Sequence, residues 1–245
     1  MPEGITAPGP GIRWHYRQII NWFGPCLMWL GGGWHVTGRD NVPDEGAAVI
    51  CPNHISYLDP PLMGIAVQKR RCCYMGLAAL FKVPLVGWFI RISYSYPVDR
   101  DEGGRAALRI ASTMLDAGEL LVMFPEGTRT VDGELLPGQL GAAFAASKAK
   151  VPIIPAAIWG ADTVLPRHSK RLYRCPVYVR FGAPMHVPEP ADGRRLSREE
   201  LQAVTEDLMG RIGELQRQLR AEVPEKWRRK AARVRARTQG RAGEE

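Results

Sequence analysis

The alternation of short apolar runs with helix-like stretches constrains this 245-residue chain more than any other feature. The runs at residues 47–51, 120–124, 153–158 and 177–181 are predominantly apolar, with a weaker one at 94–98. Short runs of this kind, bounded by turn residues, fit strands buried on both faces. Between them, residues 61–68, 103–117 and 138–149 carry helix-like patterns. Strand, helix, strand in this order predicts an α/β fold, a single domain with a mostly parallel central sheet flanked by helices. A last long helix is expected to open at Ser197, where Glu200 three positions on completes a capping-box signature. Along it Leu201, Val204, Leu208, Ile212, Leu215 and Leu219 step by three or four and form one stripe, expected to cover the sheet.

The ends of the chain differ from this middle. Three parts are expected: an N-terminal segment at 1–33, the main domain at 34–222 and a basic C-terminal helix or tail at 223–245. Residues 18–34 carry no charge and include Trp22, Trp29 and Trp34, with Trp14, Arg13 and Arg17 just ahead. A spanning helix needs about 20 apolar residues, and Gly24-Pro25 and Gly31-Gly32-Gly33 interrupt this stretch. It reads either as a helix packed on the core or as a segment lying in a membrane surface, where tryptophan has one apolar and one wet side. Residues 225–245 hold eight basic side chains against three acidic ones, a net +5 out of +8 for the chain. That tail is a solvated charged helix or a polybasic arm for anionic lipid headgroups.

Composition then narrows the function. Hydrophobic residues at 45% and charged residues at 24% exclude a disordered chain, a collagen-like fibre and a multi-span membrane protein. A pI near 9.5 suits a polyanionic partner: nucleic acid, an anionic lipid surface or a phosphorylated substrate. Five cysteines, Cys72 and Cys73 adjacent and no Cys-x-x-Cys pair, argue against a disulfide framework or a zinc knuckle and for a reducing compartment. His15, His35, His168 and His186 are scattered without ligand spacing, so no metal is expected.

In an open α/β sheet, ligands sit beyond the carboxyl ends of the strands. After 47–51 comes Asn53-His54-Ile55-Ser56-Tyr57-Leu58-Asp59; after 94–98 comes Asp99-Arg100; after 120–124 comes Pro125-Glu126-Gly127-Thr128-Arg129. Three strand ends thus bring a histidine, carboxylates and two arginines toward one edge. His54 is the natural general base, since imidazole titrates near neutrality. Asp59 can orient it only if a turn folds back between them; alternatively, with Pro60-Pro61 following, Asp59 is an N-cap. Gly127 lets backbone approach a ligand, while Thr128 and Arg129 offer donors to an anion and Arg100 a second cation. Glu126 is expected to accept a hydrogen bond from a substrate hydroxyl, or to pair with Arg129 across the turn. Cys51 reads as a buried strand residue rather than a nucleophile.

Asn53-His54-x4-Asp59 and Phe124-Pro125-Glu126-Gly127-Thr128-Arg129 resemble the two signature blocks of the glycerolipid acyltransferases, and most closely the 1-acyl-glycerol-3-phosphate (lysophosphatidic acid) acyltransferase family. Further pieces resemble that family in the right order: Val36-x-Gly38 with Asn41-Val42-Pro43, Leu80-Phe81-Lys82-Val83-Pro84 through Trp88 with Pro97-Val98-Asp99-Arg100, and Val151-Pro152-Ile153-Ile154-Pro155. The likeness spans about residues 34–185. Two departures stand out: Gln139 occupies the place of a frequent lysine, and Ser93-Tyr94-Ser95-Tyr96 replaces a glycine-containing lead-in.

The resemblance implies an O-acyltransferase acting in phospholipid biosynthesis at the cytoplasmic face of a membrane, peripheral or monotopic. His54, oriented by Asp59, would deprotonate the free hydroxyl of the lysophospholipid acceptor 1-acyl-glycerol 3-phosphate, and that oxygen would attack the thioester of acyl-CoA or of an acyl carrier protein, giving phosphatidic acid. Arg100, Glu126, Gly127, Thr128 and Arg129 would hold substrate. No cofactor or metal is implied, and no acyl-enzyme, in keeping with the lack of a Gly-x-Ser-x-Gly elbow. The competing classes are another acceptor, a non-catalytic binder of anionic lipid, and a nucleic-acid binder. The last is disfavoured because the basic tail comes with no groove-reading or base-stacking motif.

Overall fold

The apolar runs pair with one another, because a strand without polar positions must be covered on both faces. In the computed structural model, which describes residues 24, 31–68, 70–77, 95–98, 103–167, 169 and 171–239, they build one seven-stranded sheet. In chain order the strands are β1 (Trp34–Thr37), β2 (Ala48–Pro52), β3 (Cys72–Leu77), β4 (Ser95–Val98), β5 (Leu120–Val122), β6 (Ile153–Trp159) and β7 (Val177–Phe181). Across the sheet the order is β1-β7-β6-β2-β5-β3-β4. Strands β2 to β6 run parallel; β7 is antiparallel to β6, and β1 is parallel to β7. The expected mostly parallel α/β sheet is present, with its reversed pair at one edge. The N-terminal stretch up to residue 30 other than residue 24, the 80–88 block, Asp99 and Arg100 lie outside the described residues.

Between the strands run α1 (Asp59–Val67), α2 (Gly103–Asp116), α3 (Gly141–Ala149) and α4 (Ala161–Val164), and after β7 come α5 (Arg198–Glu222) and α6 (Glu225–Gln239). Alternate residues of β2 divide between two cores, as the two-residue strand period demands. Ala48 and Ile50 join Leu62 and Met63 of α1 on one face, while Val49 and Cys51 join Ala111 of α2 and Ala143 of α3 on the other. Helix α3 begins three residues later than its sequence pattern predicts. Gly138 sits so close to Thr205 and Met209 of α5 that a Cβ there would collide with both, so this stretch serves close packing rather than helix.

Helix α5 is capped as its sequence predicts: Ser197 Oγ accepts the Glu200 N–H at 3.2 Å and a Glu200 carboxylate oxygen accepts the Ser197 N–H at 2.7 Å. All six residues of its apolar stripe are buried. Leu201 to Ile212 pack in the core of α2 and α3; Leu215 and Leu219 pack in the core of α1. The basic residues of 225–239 form a helix that does not stand free in solvent. Ala231 and Val234 of α6 are buried and Trp227 packs on the core.

Truncating a fully buried stripe residue removes transfer free energy and leaves a cavity, whereas losing a cap leaves one end N–H without its partner. Ile212→Ala should therefore cost about 2–5 kcal/mol and Ser197→Ala about 1 kcal/mol, read from denaturant midpoints at constant slope. Equal losses would contradict the packing described here.

Candidate active site

Strand β2 lies between β6 and β5, and the polypeptide leaving its carboxyl end is fastened to both neighbours. Asn53 takes the place of a strand residue toward β6: its Nδ2 donates to the Ile158 carbonyl at 3.1 Å and its Oδ1 accepts the Ile158 N–H at 2.7 Å. Toward β5, the His54 N–H donates to Glu126 Oε1 at 2.6 Å, and the His54 carbonyl accepts the Thr130 N–H at 2.9 Å. Phe124, the first residue past β5 to leave the ladder, stacks on the His54 ring with centroids 4.0 Å apart. Backbone and ring of His54 are thus both positioned by the loop that carries Glu126 and Arg129.

The turn at Tyr57-Leu58 brings Asp59 back onto His54. His54 Nδ1 and Asp59 Oδ2 are 2.8 Å apart, and the same oxygen accepts the N–H groups of Ile55 and Ser56, each at 2.7 Å. Asp59 is 0% exposed, while the His54 side chain is 18% exposed. The cap alternative fails: helix α1 begins at Asp59, its cap residue is Leu58, and no side chain caps it. Burial is the largest influence on Asp59 and raises its pKa; the His54 bond and charge and the two backbone N–H groups pull it down. With Nδ1 donating to the carboxylate, the tautomer leaves the Nε2 lone pair for a substrate proton.

Glu126 occupies a different setting from the one its sequence predicts. It is 3% exposed, and its two oxygens accept backbone N–H groups, Oε1 from His54 and Oε2 from Leu136 at 2.9 Å. Its carboxylate ties two loops together instead of facing a substrate hydroxyl, and it forms no ion pair with Arg129. A carboxylate is needed because one residue must accept two N–H groups on opposite sides. Gly127 turns with φ 69°, and a Cβ there would collide with the Gln139 amide. The position where Gln139 stands for a lysine therefore faces this turn. Gly127 and Thr128 are exposed.

Arg129 is half-buried. Its Cζ lies 3.4 Å from the centroid of the Tyr57 ring, a cation–π contact, and its buried Nη1 has no hydrogen-bond partner among the described residues. Burial lowers its pKa below the ordinary arginine value. Tyr57 lies inside the His54–Asp59 turn, so Arg129 and the imidazole share one site. The structure brings His54, Asp59, Glu126 and Arg129 together there; Gly127 faces Gln139, Thr128 is exposed, and Arg100 lies outside the described residues. Sequence reasoning assigned no role to Tyr57, the platform for Arg129, or to Asn53 and Phe124, although all three lie in the motifs that drew attention to the site. Cys51 is fully buried, and burial pushes its thiol far above the ordinary value, so it is inert as a nucleophile. Among the described residues, no group of three His, Cys, Asp or Glu side chains is placed to hold a metal.

The loop between Arg129 and α3 is held from the C-terminal helices. Arg220 of α5 donates to the Gly133 carbonyl at 3.0 Å and pairs with Glu134 at 2.8 Å. Arg235 of α6 pairs with Asp162 of α4 at 2.5 Å and lies against Gly133. Leu136, which holds Glu126, follows directly in this loop.

Burial raises the Glu126 pKa above its ordinary 4.5, against the pull of the two N–H groups and His54. The native state then binds this proton more tightly than the unfolded chain, so the linked stability is present below about pH 4.5 and is lost as pH rises through the folded value. Glu126→Gln removes that titration. Wild-type stability relative to the variant should fall as pH rises above the ordinary 4.5, read by denaturant titration at each pH. A difference that stays flat or grows would contradict the direction of the shift.

The chain matches the Acyltransferase family over residues 33–159. It is 32% identical over 195 residues to the 1-acyl-sn-glycerol-3-phosphate acyltransferase of Bacillus subtilis, covering 79% of this chain and 93% of that one. It is 29% identical over 182 residues to the enzyme of the same name from Streptococcus pneumoniae, covering 73% and 64%. Among solved structures it resembles the 1-acyl-sn-glycerophosphate (LPA) acyltransferase PlsC of Thermotoga maritima, with a TM-score of 0.67 and 28% identity over 86% of this chain and 82% of that one. A braced histidine at the end of a central parallel strand, an arginine beside it and these likenesses agree: the chain is an acyltransferase and belongs to the 1-acyl-sn-glycerol-3-phosphate acyltransferase family.

Proposed function

We propose that this protein transfers a fatty acyl group from an acyl thioester, acyl-CoA or acyl carrier protein, to the free hydroxyl of 1-acyl-glycerol 3-phosphate, giving phosphatidic acid. The observation that carries this reading is the His54–Asp59 pair, 2.8 Å apart, with the Arg129 guanidinium on the Tyr57 ring in the same turn. His54 Nε2 takes the hydroxyl proton as the acceptor oxygen attacks the thioester carbonyl. The imidazolium that forms is stabilised by the buried Asp59 carboxylate. The tetrahedral oxyanion collapses, the carbon–sulfur bond breaks, and the thiolate takes the proton back from His54. Arg129, Thr128 and Arg100 are the groups proposed to hold the acceptor's phosphate, which fixes the hydroxyl relative to the imidazole.

No covalent intermediate is needed. Cys51 is buried, and the Ser56 hydroxyl donates to the Leu165 carbonyl at 3.2 Å. The reading requires no cofactor beyond the thioester. It places the protein at the cytoplasmic face of an anionic membrane, supported by the basic side chains of α6 and the tryptophan-rich N-terminal stretch. None of the described helices is long and apolar enough to cross a membrane.

General base catalysis contributes about 10²–10⁴-fold. With labelled acyl-CoA and acyl carrier protein thioester offered against 1-acyl-glycerol 3-phosphate, glycerol 3-phosphate and neutral lysolipids, wild type should prefer the first acceptor. His54→Ala should lose activity by about that factor while unfolding at the same temperature. Retention of most turnover by the variant would remove His54 as the base; preference for another acceptor would overturn the substrate.

A further inference from the structure

Arg167 lies outside every sequence motif of the site, thirty-eight residues from Arg129, yet the fold brings it there. It follows α4 in the turn closed by the Ser169 N–H on the Pro166 carbonyl at 3.1 Å. Two bonds fasten this segment to both catalytic loops. Ser56, within the His54–Asp59 turn, donates to the carbonyl of Leu165, and Arg167 Nη1 donates to the main-chain carbonyl of Arg129 at 3.1 Å. A guanidinium is thereby held beside the residue that already carries one. Neither arginine is ion-paired with a carboxylate among the described residues, and the buried Asp59 is engaged by His54 and two backbone N–H groups.

We propose that Arg167 supplies a further cation, beside Arg129, of a subsite for a phosphate monoester, and so selects acceptors that carry one. The inference rests on the acyltransferase reading above and names a determinant of its substrate class. Two like charges at one edge repel each other, and the arrangement is favourable when an anion lies between them. Among the described residues the buried Nη1 of Arg129 has no hydrogen-bond partner, and Arg167 is exposed. A phosphate monoester carries about −1.5 to −2 charge at pH 7 with three acceptor oxygens, more than one guanidinium neutralises. Arginine suits the task because its planar fork matches adjacent phosphate oxygens. The charge of Arg167 also contributes, after burial, to holding the Arg129 guanidinium below its ordinary pKa, as expected for cations in electrostatic contact. A neutral hydroxyl acceptor gains nothing from this pair.

The test compares the full-length wild type with Arg167→Ala and Arg167→Lys, each first shown to unfold at the wild-type temperature. Acceptors are a short-chain 1-acyl-glycerol 3-phosphate and the monoacylglycerol of the same chain. Hydrogen bonds to a charged group are worth about 1.5–3 kcal/mol, so Arg167→Ala should raise KM for the phosphate-bearing acceptor about tenfold or more. Its kcat should change less than about threefold, as should turnover of the neutral acceptor. Arg167→Lys should recover part of the loss, since it restores charge without the fork. An unchanged KM, or equal losses on both acceptors, would overturn the proposal. Should wild type fail to acylate the phosphate-bearing acceptor, the parent reading falls, and the subsite is judged by calorimetric binding of inorganic phosphate. Weakening of about tenfold in Arg167→Ala would then support it, and unaltered binding would refute it.

Discussion

A single carboxylate, that of Asp59, organises the site. An ion of this kind loses several kcal/mol of hydration when buried, and only a fold that aims donors at it can hold it there. Here the donors come from three consecutive residues, the imidazole of His54 and the N–H groups of Ile55 and Ser56. They converge because Tyr57 and Leu58 reverse the chain before α1 begins. Pro60 and Pro61 then start the helix in a geometry that suits their fixed φ and spends no N–H. The same turn that braces the imidazole also presents the Tyr57 ring to Arg129. Imidazole and guanidinium are therefore placed by one local structure.

The sheet explains why that structure is rigid. His54 leaves the carboxyl end of a strand with parallel neighbours on both sides, and each neighbour grips it, β6 through Asn53 and β5 through Glu126 and Phe124. Glu126 passes the constraint outward to Leu136, in a loop fastened by Arg220 and Arg235. The C-terminal helices consequently have a structural part in the site besides the charge they carry. Specific side chains of a basic segment can be spent on internal partners while the remainder face outward, and α6 does both: Arg235 pairs with Asp162 of another helix, whereas Arg229 pairs with Glu225 on its own helix.

Much of this was legible in the residues. Strands β2, β6 and β7 lie within a residue of their apolar runs because buried parallel strands need continuous hydrophobic sequence. The α5 stripe and its cap were readable because helix periodicity and capping are local. Strand β3 escaped notice: its Cys72-Cys73-Tyr74-Met75 sequence draws attention as thiol chemistry before it reads as apolar, and all four free cysteines described are core residues. The candidate site residues were legible from their positions after strand ends, and the structure brings His54, Asp59, Glu126 and Arg129 together. Roles were harder. Glu126 was expected at a substrate because nothing local reveals that its partners are the N–H groups of residues 54 and 136, which only the sheet brings near. Arg167 was invisible for the same reason, lying in a turn whose sequence carries no pattern.

The account stands on the Asp59 charge as the partner of His54. Asp59→Asn keeps an oxygen for the Ile55 and Ser56 N–H groups but removes the negative charge and the certainty of the imidazole tautomer. The decisive measurement is single-turnover acyl transfer by that variant at saturating acceptor, with folding checked by thermal unfolding. A fall of about 10²–10⁴-fold at nearly unchanged acceptor affinity is the predicted result. A folded Asp59→Asn protein that keeps more than about a tenth of the wild-type rate would contradict the role assigned to this carboxylate.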